Sequence, residues 1–335
     1  MNSFTLSQSA SLCAKNEYGM SKKALSAAPR VIPQQRTERF APLITTRKAS
    51  TVCVLSPDRP VQTTTQPAVP LTPKQREPLI SREAVQSLEA ELDNGESVKA
   101  LRRFNDILAN LSEEKWNDRM WMVWNELAHN LESFNPIFTA VMLKVQCTIG
   151  HSDYVRRDEC LRNLIQPLAG EYGMHNDEAM GKTHRKLFSE FYTSCTGASL
   201  EELLEAEVPT PNSQQLFACM MRDVSSGGQC IDGIEQASYA LGYNLAVEYL
   251  AAYEKTWLLD SFRSLDQRFL QQQKRDVEWM FLEIHAIGEP EHAEIGHQGV
   301  VNFVPKAHEE VLRRAMLDHD RDFAQFYNRL ADLLC

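Results

Sequence analysis

The sequence lacks an apolar run of about 18 residues, the length that a membrane-spanning helix requires. Its best candidate, residues 137–145, is short and contains Lys144. It also lacks G-x-G-x-x-G and G-x-x-x-x-G-K-[ST] segments, so Gly-rich phosphate-binding loops are not expected. We therefore expect no transmembrane helix and no nucleotide-binding loop of these types.

Cysteine pairs of the C-x-x-C type are missing as well, although the chain contains eight Cys. Their scattered positions favour reduced intracellular thiols over a disulfide framework or a zinc ribbon. Cys219 and Cys230 are candidates for a thiol nucleophile. The interpretation that we prefer for both is a small, buried, apolar side chain.

Positive charge is scarce, and the net charge of −10 argues against a general nucleic-acid binder. The charge is also uneven, because residues 1–55 hold eight Lys or Arg against two Glu. The remainder of the chain is therefore strongly acidic. An acidic body of this kind should not bind a membrane surface.

Residues 1–80 differ in composition from the rest of the chain. They contain nine of the fifteen Pro together with many Ser, Thr and Gln, and they show no helical or strand period. This composition predicts a disordered tail. A basic, Ser- and Ala-rich start also allows an organelle transit segment, so the expected location is cytoplasmic or, as the alternative, an organelle.

Residues 81–335 carry helix signals instead. Ser81 and Ser112 are placed as N-caps, and apolar residues then recur at spacings of three and four. Alternating β-branched runs are not seen, so no sheet is expected. We predict a single all-α bundle, with helices that include about 177–193, 231–259 and 265–287, and with a break at Pro136.

One stretch in this helical region has metal-ligand spacing, His285-x3-Glu289-x2-His292. Offsets of four and seven return to one face of a helix. Two imidazoles and one carboxylate on one face suit zinc or non-haem iron. The alternative is a solvated helix face that carries two His and one Glu.

Further donors are found on other predicted helices. Glu248 lies among apolar and small residues, where a metal would compensate a buried carboxylate; the alternatives are an inward Glu held by a Tyr or Arg and a helix face that is assigned wrongly. Glu171 follows an apolar run, and His184 lies on the apolar side of its helix, where a lone His is usually a core residue. Together the candidates provide three carboxylates and three imidazoles, which is enough for two iron ions. They are Glu171, His184, Glu248, His285, Glu289 and His292.

The order of these residues resembles the haem-oxygenase-like di-iron oxidases and oxygenases over about residues 110–330. The matching pieces are a His-x3-Asp/Glu-x2-His helix, an Ala-Leu-Gly-x3-Ala-x-Glu helix ending at Glu248, and an Asn-Leu…Glu-x-Gly segment followed by His-x2-Leu. The resemblance implies a haem-oxygenase-like bundle of about seven core helices. It also implies two Fe(II) ions bound by the six residues above, with O2 as co-substrate.

The sequence departs from that family pattern at several positions. Pro290 follows Glu289 directly and disfavours helical geometry there. Position 289 is Glu where Asp is commoner, and 13 residues separate Glu171 from His184, so His175 and Glu178 are alternative ligands.

A second di-iron class, the ferritin-like one, uses two E-x-x-H pairs. Glu126 and His129 form such a pair, as do Glu289 and His292, but the ligand order along the chain does not fit that class. We therefore interpret Glu126 and His129 as part of a helix face outside the metal ligands.

The function predicted from the resemblance is an iron-dependent oxygenase or oxidase that acts on a small metabolite such as an amine, an amino acid or a fatty acid. The alternative is a metal-free helical binding or scaffold protein of the same fold. The expected partner is a small-molecule substrate, and a homodimer is a common state of this fold. Lys182, Arg185 and Lys186, near His184, would suit a substrate carboxylate or are surface charges.

Overall fold

The computed structural model describes residues 77–149, 153–174, 181–207, 211–227, 230 and 232–335. The predicted tail or transit segment therefore lies outside the described residues up to position 76. Eleven α-helices are found in the described part, where the prediction of an all-α bundle is confirmed. They are α1 (Arg82–Leu92), α2 (Glu96–Ala109), α3 (Glu113–Leu131), α4 (Phe134–Thr148), α5 (Tyr154–Glu171), α6 (His184–Thr196), α7 (Leu200–Ala206), α8 (Pro211–Ser226), α9 (Gly233–Leu265), α10 (Met280–Val301) and α11 (Glu309–Leu334).

Several helices begin where a polar side chain accepts a backbone N–H of the first turn. Ser81 accepts from Ala84, and Ser112 accepts from Lys115, as the sequence predicts. Thr183 caps α6 in the same way by accepting from Lys186. Each of these caps satisfies a donor that the start of a helix leaves free.

Helix α9 lies at the centre of the bundle and is buried on nearly every face. It packs against α10, α11, α2 and α4. A helix that is apolar all round is stable only inside a protein, which is the position that α9 takes. Gly242 lets it approach α11 closely, since a Cβ there would lie 2.7 Å from the Leu312 carbonyl oxygen.

The aromatic core surrounds Trp124 of α3. Its ring contacts those of Phe188, Phe191 and Phe262, with centroid separations of 6.1, 5.6 and 5.2 Å. These contacts join α3, α6 and α9 around an apolar centre. Burial of such large rings contributes strongly to the stability of a bundle.

Three predicted helix boundaries were wrong. The break expected at Pro136 lies at Ser133, because Pro136 is in the first turn of α4, where its missing N–H costs nothing. Helix α6 begins at His184 with Thr183 as its cap, and residues 181–183 are not helical, whereas the predicted start near position 177 lies outside the described residues. The helix predicted over 265–287 is interrupted between Gln271 and Trp279, where Lys274 has φ 57°.

Pro290 does not break α10, which is continuous from Met280 to Val301. The proline ring lies on the exposed side of the helix, whereas Glu289 beside it is buried. The carbonyl that loses its helical donor belongs to Ala286, one turn earlier. The helix therefore keeps His285, Glu289 and His292 on consecutive turns.

Among the described residues, no helix is both long and apolar enough to cross a membrane.

Candidate metal centre

The six predicted ligands come together as two groups of three. The first group consists of Glu171, His184 and His285, and the second of Glu248, Glu289 and His292. In each group the nitrogen and oxygen donor atoms lie within 4.8 Å of one another. Residues from four helices, α5, α6, α9 and α10, are thus assembled into two adjacent sets of donors.

The first group converges on Nδ1 of His184. This nitrogen lies 2.8 Å from Oε1 of Glu171 and 3.0 Å from Nε2 of His285. This nitrogen can carry one proton, which can point at only one of its two neighbours, so the other contact is left without a hydrogen bond. A cation between the three donor atoms would satisfy all of them.

The ring of His285 is oriented by its own helix. Its Nδ1 lies 2.5 Å from the Phe281 carbonyl oxygen, a contact that requires the proton on Nδ1. The lone pair of the neutral ring is then on Nε2, the atom that faces His184. Metal-binding His residues are commonly held in this way by a backbone carbonyl.

The two ends of the segment between Glu171 and His184 are held together by Gly173. It follows the end of α5 with φ +74°, and a Cβ there would lie 2.6 Å from the carbonyl oxygens of Gly181 and Lys182. Only a glycine permits this close approach at a positive φ. The 13-residue separation is therefore compatible with direct contact between Glu171 and His184. His175 and Glu178, the alternative ligands, lie outside the described residues.

The second group lies between the packed helices α9 and α10. Nδ1 of His292 is 3.4 Å from Oε2 of Glu289 and 3.8 Å from Oε2 of Glu248. Glu248 is 4% exposed, and its Oε1 has no hydrogen-bond partner among the described residues. Among the described residues, no Tyr or Arg donates a hydrogen bond to this oxygen, in contrast to the alternative considered for Glu248. A buried carboxylate oxygen without a partner is costly, and a cation bound here would compensate that cost.

The charges of the second group confirm its unusual environment. Burial, and then the charge of Glu289, raise the pKa of Glu248 to about 8. Burial alone would lower the pKa of His292, but its hydrogen bond with Glu289 and the charges of Glu289 and Glu248 raise it to about 9. Without a metal, the group therefore retains protons at neutral pH.

The pKa of His285 is shifted in the opposite direction to that of His292. Burial, and then the neighbouring His184 and Lys255, hold its pKa well below the usual value for histidine. The ring is therefore neutral at physiological pH. A neutral imidazole with a free Nε2 is the form that binds a metal.

Five of the six predicted ligands, all except His184, line one cavity, which we call the metal-site cavity. Glu171, Glu248, His285, Glu289 and His292 line it together with the apolar side chains of Leu131, Phe134, Phe138, Pro167, Val247 and Ala251. Its volume is about 20 Å³, which is room for roughly one water. The carboxylates thus face a small, mostly apolar space.

Lys255 also lines this cavity, and the sequence analysis missed it. It lies on α9, two turns after Glu248, and is 8% exposed. The signal was a Lys on the same face as Glu248 in a helix that is otherwise apolar. Unless α9 is known to be central, a Lys at this position is expected to lie at the surface.

Glu126 and His129 belong to neither group. Glu126 is buried but accepts hydrogen bonds from the Asn212 side chain (2.9 Å) and the Ser213 backbone N–H (2.8 Å) at the start of α8. Its carboxylate therefore stabilises a helix N-terminus. Cys219 and Cys230 have pKa values raised first by burial, which favours thiols over reactive thiolates.

The three cations near His184 pair with carboxylates that are not among the predicted ligands. Lys182 pairs with Glu190 at 2.8 Å, and Arg185 pairs with Glu132 on the exposed surface. Lys186 is exposed beside Glu190. None of the three is among the residues that line the metal-site cavity.

Comparison with known proteins adds information about the fold alone. No family model matches the chain, and no curated protein is significantly similar to it in sequence. Among solved structures, the chain is similar to a CADD-like protein of unknown function from Nostoc punctiforme PCC 73102, with a TM-score of 0.56 and 13% identity. The match covers 75% of this chain and 96% of that one. At this identity it shows a shared helical-bundle fold.

Proposed function

We propose that this protein is a non-haem di-iron oxidase or oxygenase that uses O2 to modify a small metabolite. The observation that carries the proposal is the pair of donor groups, each with three nitrogen or oxygen ligands, around one buried cavity. Three carboxylates and three imidazoles are the mixed donor set that Fe(II) accepts.

The residues fit two metal ions on independent grounds. In the first group two potential ligand atoms, Glu171 Oε1 and His285 Nε2, lie at hydrogen-bond distance from His184 Nδ1, and in the second a buried oxygen of Glu248 has no partner. Glu171, His184 and His285 would hold one ion, and Glu248, Glu289 and His292 the other. When bound, two ferrous ions supply the electrons that reduce O2.

The chain's own residues prepare the site for this chemistry. Phe281 holds the His285 ring in the tautomer that presents Nε2. The apolar walls formed by Leu131, Phe134 and Phe138 limit the entry of water to the reacting atoms. Exclusion of water strengthens the electrostatic interactions inside a site and suppresses side reactions.

Metal analysis after anaerobic loading with Fe(II) tests the proposal. We expect two iron ions per chain in the wild type and fewer in Glu248→Ala and His285→Ala. Glu126→Gln is the matched control, because Glu126 is equally buried but bonded to the start of α8. It should retain both ions. Exposure to O2 should then consume O2 in the loaded wild type and not in the ligand variants.

Two results would contradict the proposal. One is an absence of iron uptake by the wild type, and the other is an uptake that Glu248→Ala and His285→Ala leave unchanged. Either result would favour the alternative predicted from the sequence, a metal-free scaffold protein.

A further inference from the structure

A second cavity lies next to the metal-site cavity. We call it the aromatic cavity, since its walls include Trp124, Phe134, Phe188, Phe191, Phe262 and Phe281. The two cavities share Leu131, Phe134 and Lys255 as lining residues. Lys255 therefore stands where an apolar space meets the candidate metal centre.

The ammonium of Lys255 is buried and has few described contacts. The described contacts of its Nζ are Oε2 of Glu254 at 2.8 Å and the ring faces of Phe281 and Phe134 at 5.7 and 6.0 Å. An ammonium has three N–H donors. One carboxylate oxygen and two ring faces leave it capacity for a further acceptor.

The carboxylate of Glu254 is shared with another group. Its Oε1 accepts the hydroxyl hydrogen of Tyr327, which is fully buried. Lys255 and Glu254 thus form a neutral pair anchored to α11. Burial would lower the pKa of Lys255, but Glu254, followed by Glu289 and Glu171, raises it, so the side chain remains a cation.

The charge balance of the loaded site favours an anion. Two Fe(II) ions bring four positive charges, and the site's carboxylates, Glu171, Glu248 and Glu289, bring three negative charges. The Lys255–Glu254 pair adds nothing. One positive charge therefore remains in a region of low dielectric, where an uncompensated charge is expensive.

We propose that Lys255 is the specificity-determining residue of this site, and that it binds the carboxylate of a substrate whose apolar body occupies the aromatic cavity. This inference rests on the proposed function and narrows the substrate to apolar carboxylates. Each cavity has a volume of only about 20 Å³, so the substrate must displace side chains between them. Leu131 and Phe134 line both cavities and are half-buried on either side of the turn between α3 and α4, so the proposal requires these two side chains to be displaced.

The test compares matched ligands on Fe(II)-loaded protein without O2, by calorimetric titration. The probes are octanoate and 4-phenylbutanoate, each against its own carboxamide, which has the same shape and no charge. In the wild type we expect each carboxylate to bind about tenfold or more tightly than its amide. In Lys255→Met this preference should fall to within about twofold, and Lys255→Arg should restore much of it.

Two further variants serve as controls for this test. Arg185→Met removes a cation on the helix of His184 that pairs outward with Glu132, and it should keep the full preference. If Lys255→Met folds poorly because Glu254 loses its partner, the double variant Glu254→Gln/Lys255→Met removes the pair together. It should also lose the preference for the carboxylate.

The outcomes separate this inference from the proposed function. Wild-type protein that binds two iron ions but shows no preference for either carboxylate contradicts the inference alone. A preference that survives in Lys255→Met also contradicts it, since the carboxylate would then be bound by other groups. Failure of the wild type to bind iron contradicts the proposed function instead, and it is measured first on the same samples.

Discussion

The two halves of the candidate centre are built in different ways. The second group, Glu248, Glu289 and His292, lies on the middle of two long helices that pack along their length. The first group takes Glu171 from the last residue of α5 and His184 from the first residue of α6, with only His285 from the middle of a helix. One half is therefore placed by helix packing, and the other by a loop between two helix ends.

This difference has physical consequences. Residues in the middle of packed helices are fixed by many neighbours, so their carboxylates remain buried even where they lack partners. Residues at helix ends depend on caps and on the path of the connecting segment. In the first group, Thr183 and Gly173 provide those constraints. We expect substitutions to affect the two halves separately.

Joint replacement of Glu248 and His292 should have the largest effect on iron binding. The double variant Glu248→Leu/His292→Leu removes two of the three donors of the second group, so we expect affinity for one of the two ions to fall more than about 100-fold. Removal of buried charges should leave the iron-free protein as stable or more stable. Metal titration and denaturant unfolding in the presence of chelator measure the two effects. Loss of both ions would show that the halves are not independent.

Gly173→Ala should weaken the first group. A Cβ at φ +74° and 2.6 Å from two carbonyl oxygens forces the loop ends apart and moves His184 away from Glu171. We expect a loss of about 1–3 kcal/mol in stability and an affinity for one ion about 10- to 100-fold lower. Gly170→Ala, where a Cβ would meet nothing within 4 Å, is the control. Equal behaviour of the two variants would contradict this role for Gly173.

In the iron-free protein, the pH dependence of folding stability should reveal the protons held by the second group. The pKa of Glu248 is raised to about 8 and that of His292 to about 9, so the folded state binds more protons than the unfolded state above pH 5. Stability should therefore fall as pH rises from about 6.5 to 9, by about 1.4 kcal/mol per pH unit for each proton. His285 contributes in the other direction, but only below about pH 6.5.

Unfolding in chelator at several pH values checks this slope, which should be much smaller in Glu248→Leu/His292→Leu. Binding of iron requires the same protons to leave, so iron affinity should rise over the same interval. An iron affinity that is independent of pH between 7 and 9 would show that these protons are not displaced by the metal.

Pro290→Ala should have the smallest effect on iron. The proline lies on the exposed side of a continuous α10, and an alanine restores the missing helical donor. We expect a gain of about 1–3 kcal/mol in stability and iron affinity within about threefold of the wild type. A large change in iron binding would show that the proline itself positions Glu289 and His292.

The two groups also differ in how far their ligands could be predicted from the sequence. His285, Glu289 and His292 were found from helical spacing, because their neighbours in space are also neighbours along one helix. Glu248 was found from its apolar surroundings. Glu171 and His184 were candidates from their apolar surroundings, but only the resemblance to a family paired them, since nothing in their spacing shows that the two side chains meet. Lys255 was missed because a lone Lys carries no signal of burial.

The sequence by itself determined the helical class, the caps at Ser81 and Ser112 and the donor types, because these depend on local periodicity and local hydrogen bonds. Only the tertiary structure decided that α9 is central, that α10 continues through Pro290, and that six donors on four helices meet as two groups of three. It also brought the ammonium of Lys255 to the boundary of two cavities. Contacts between residues far apart in the chain come from packing, and packing is set by all the helices together.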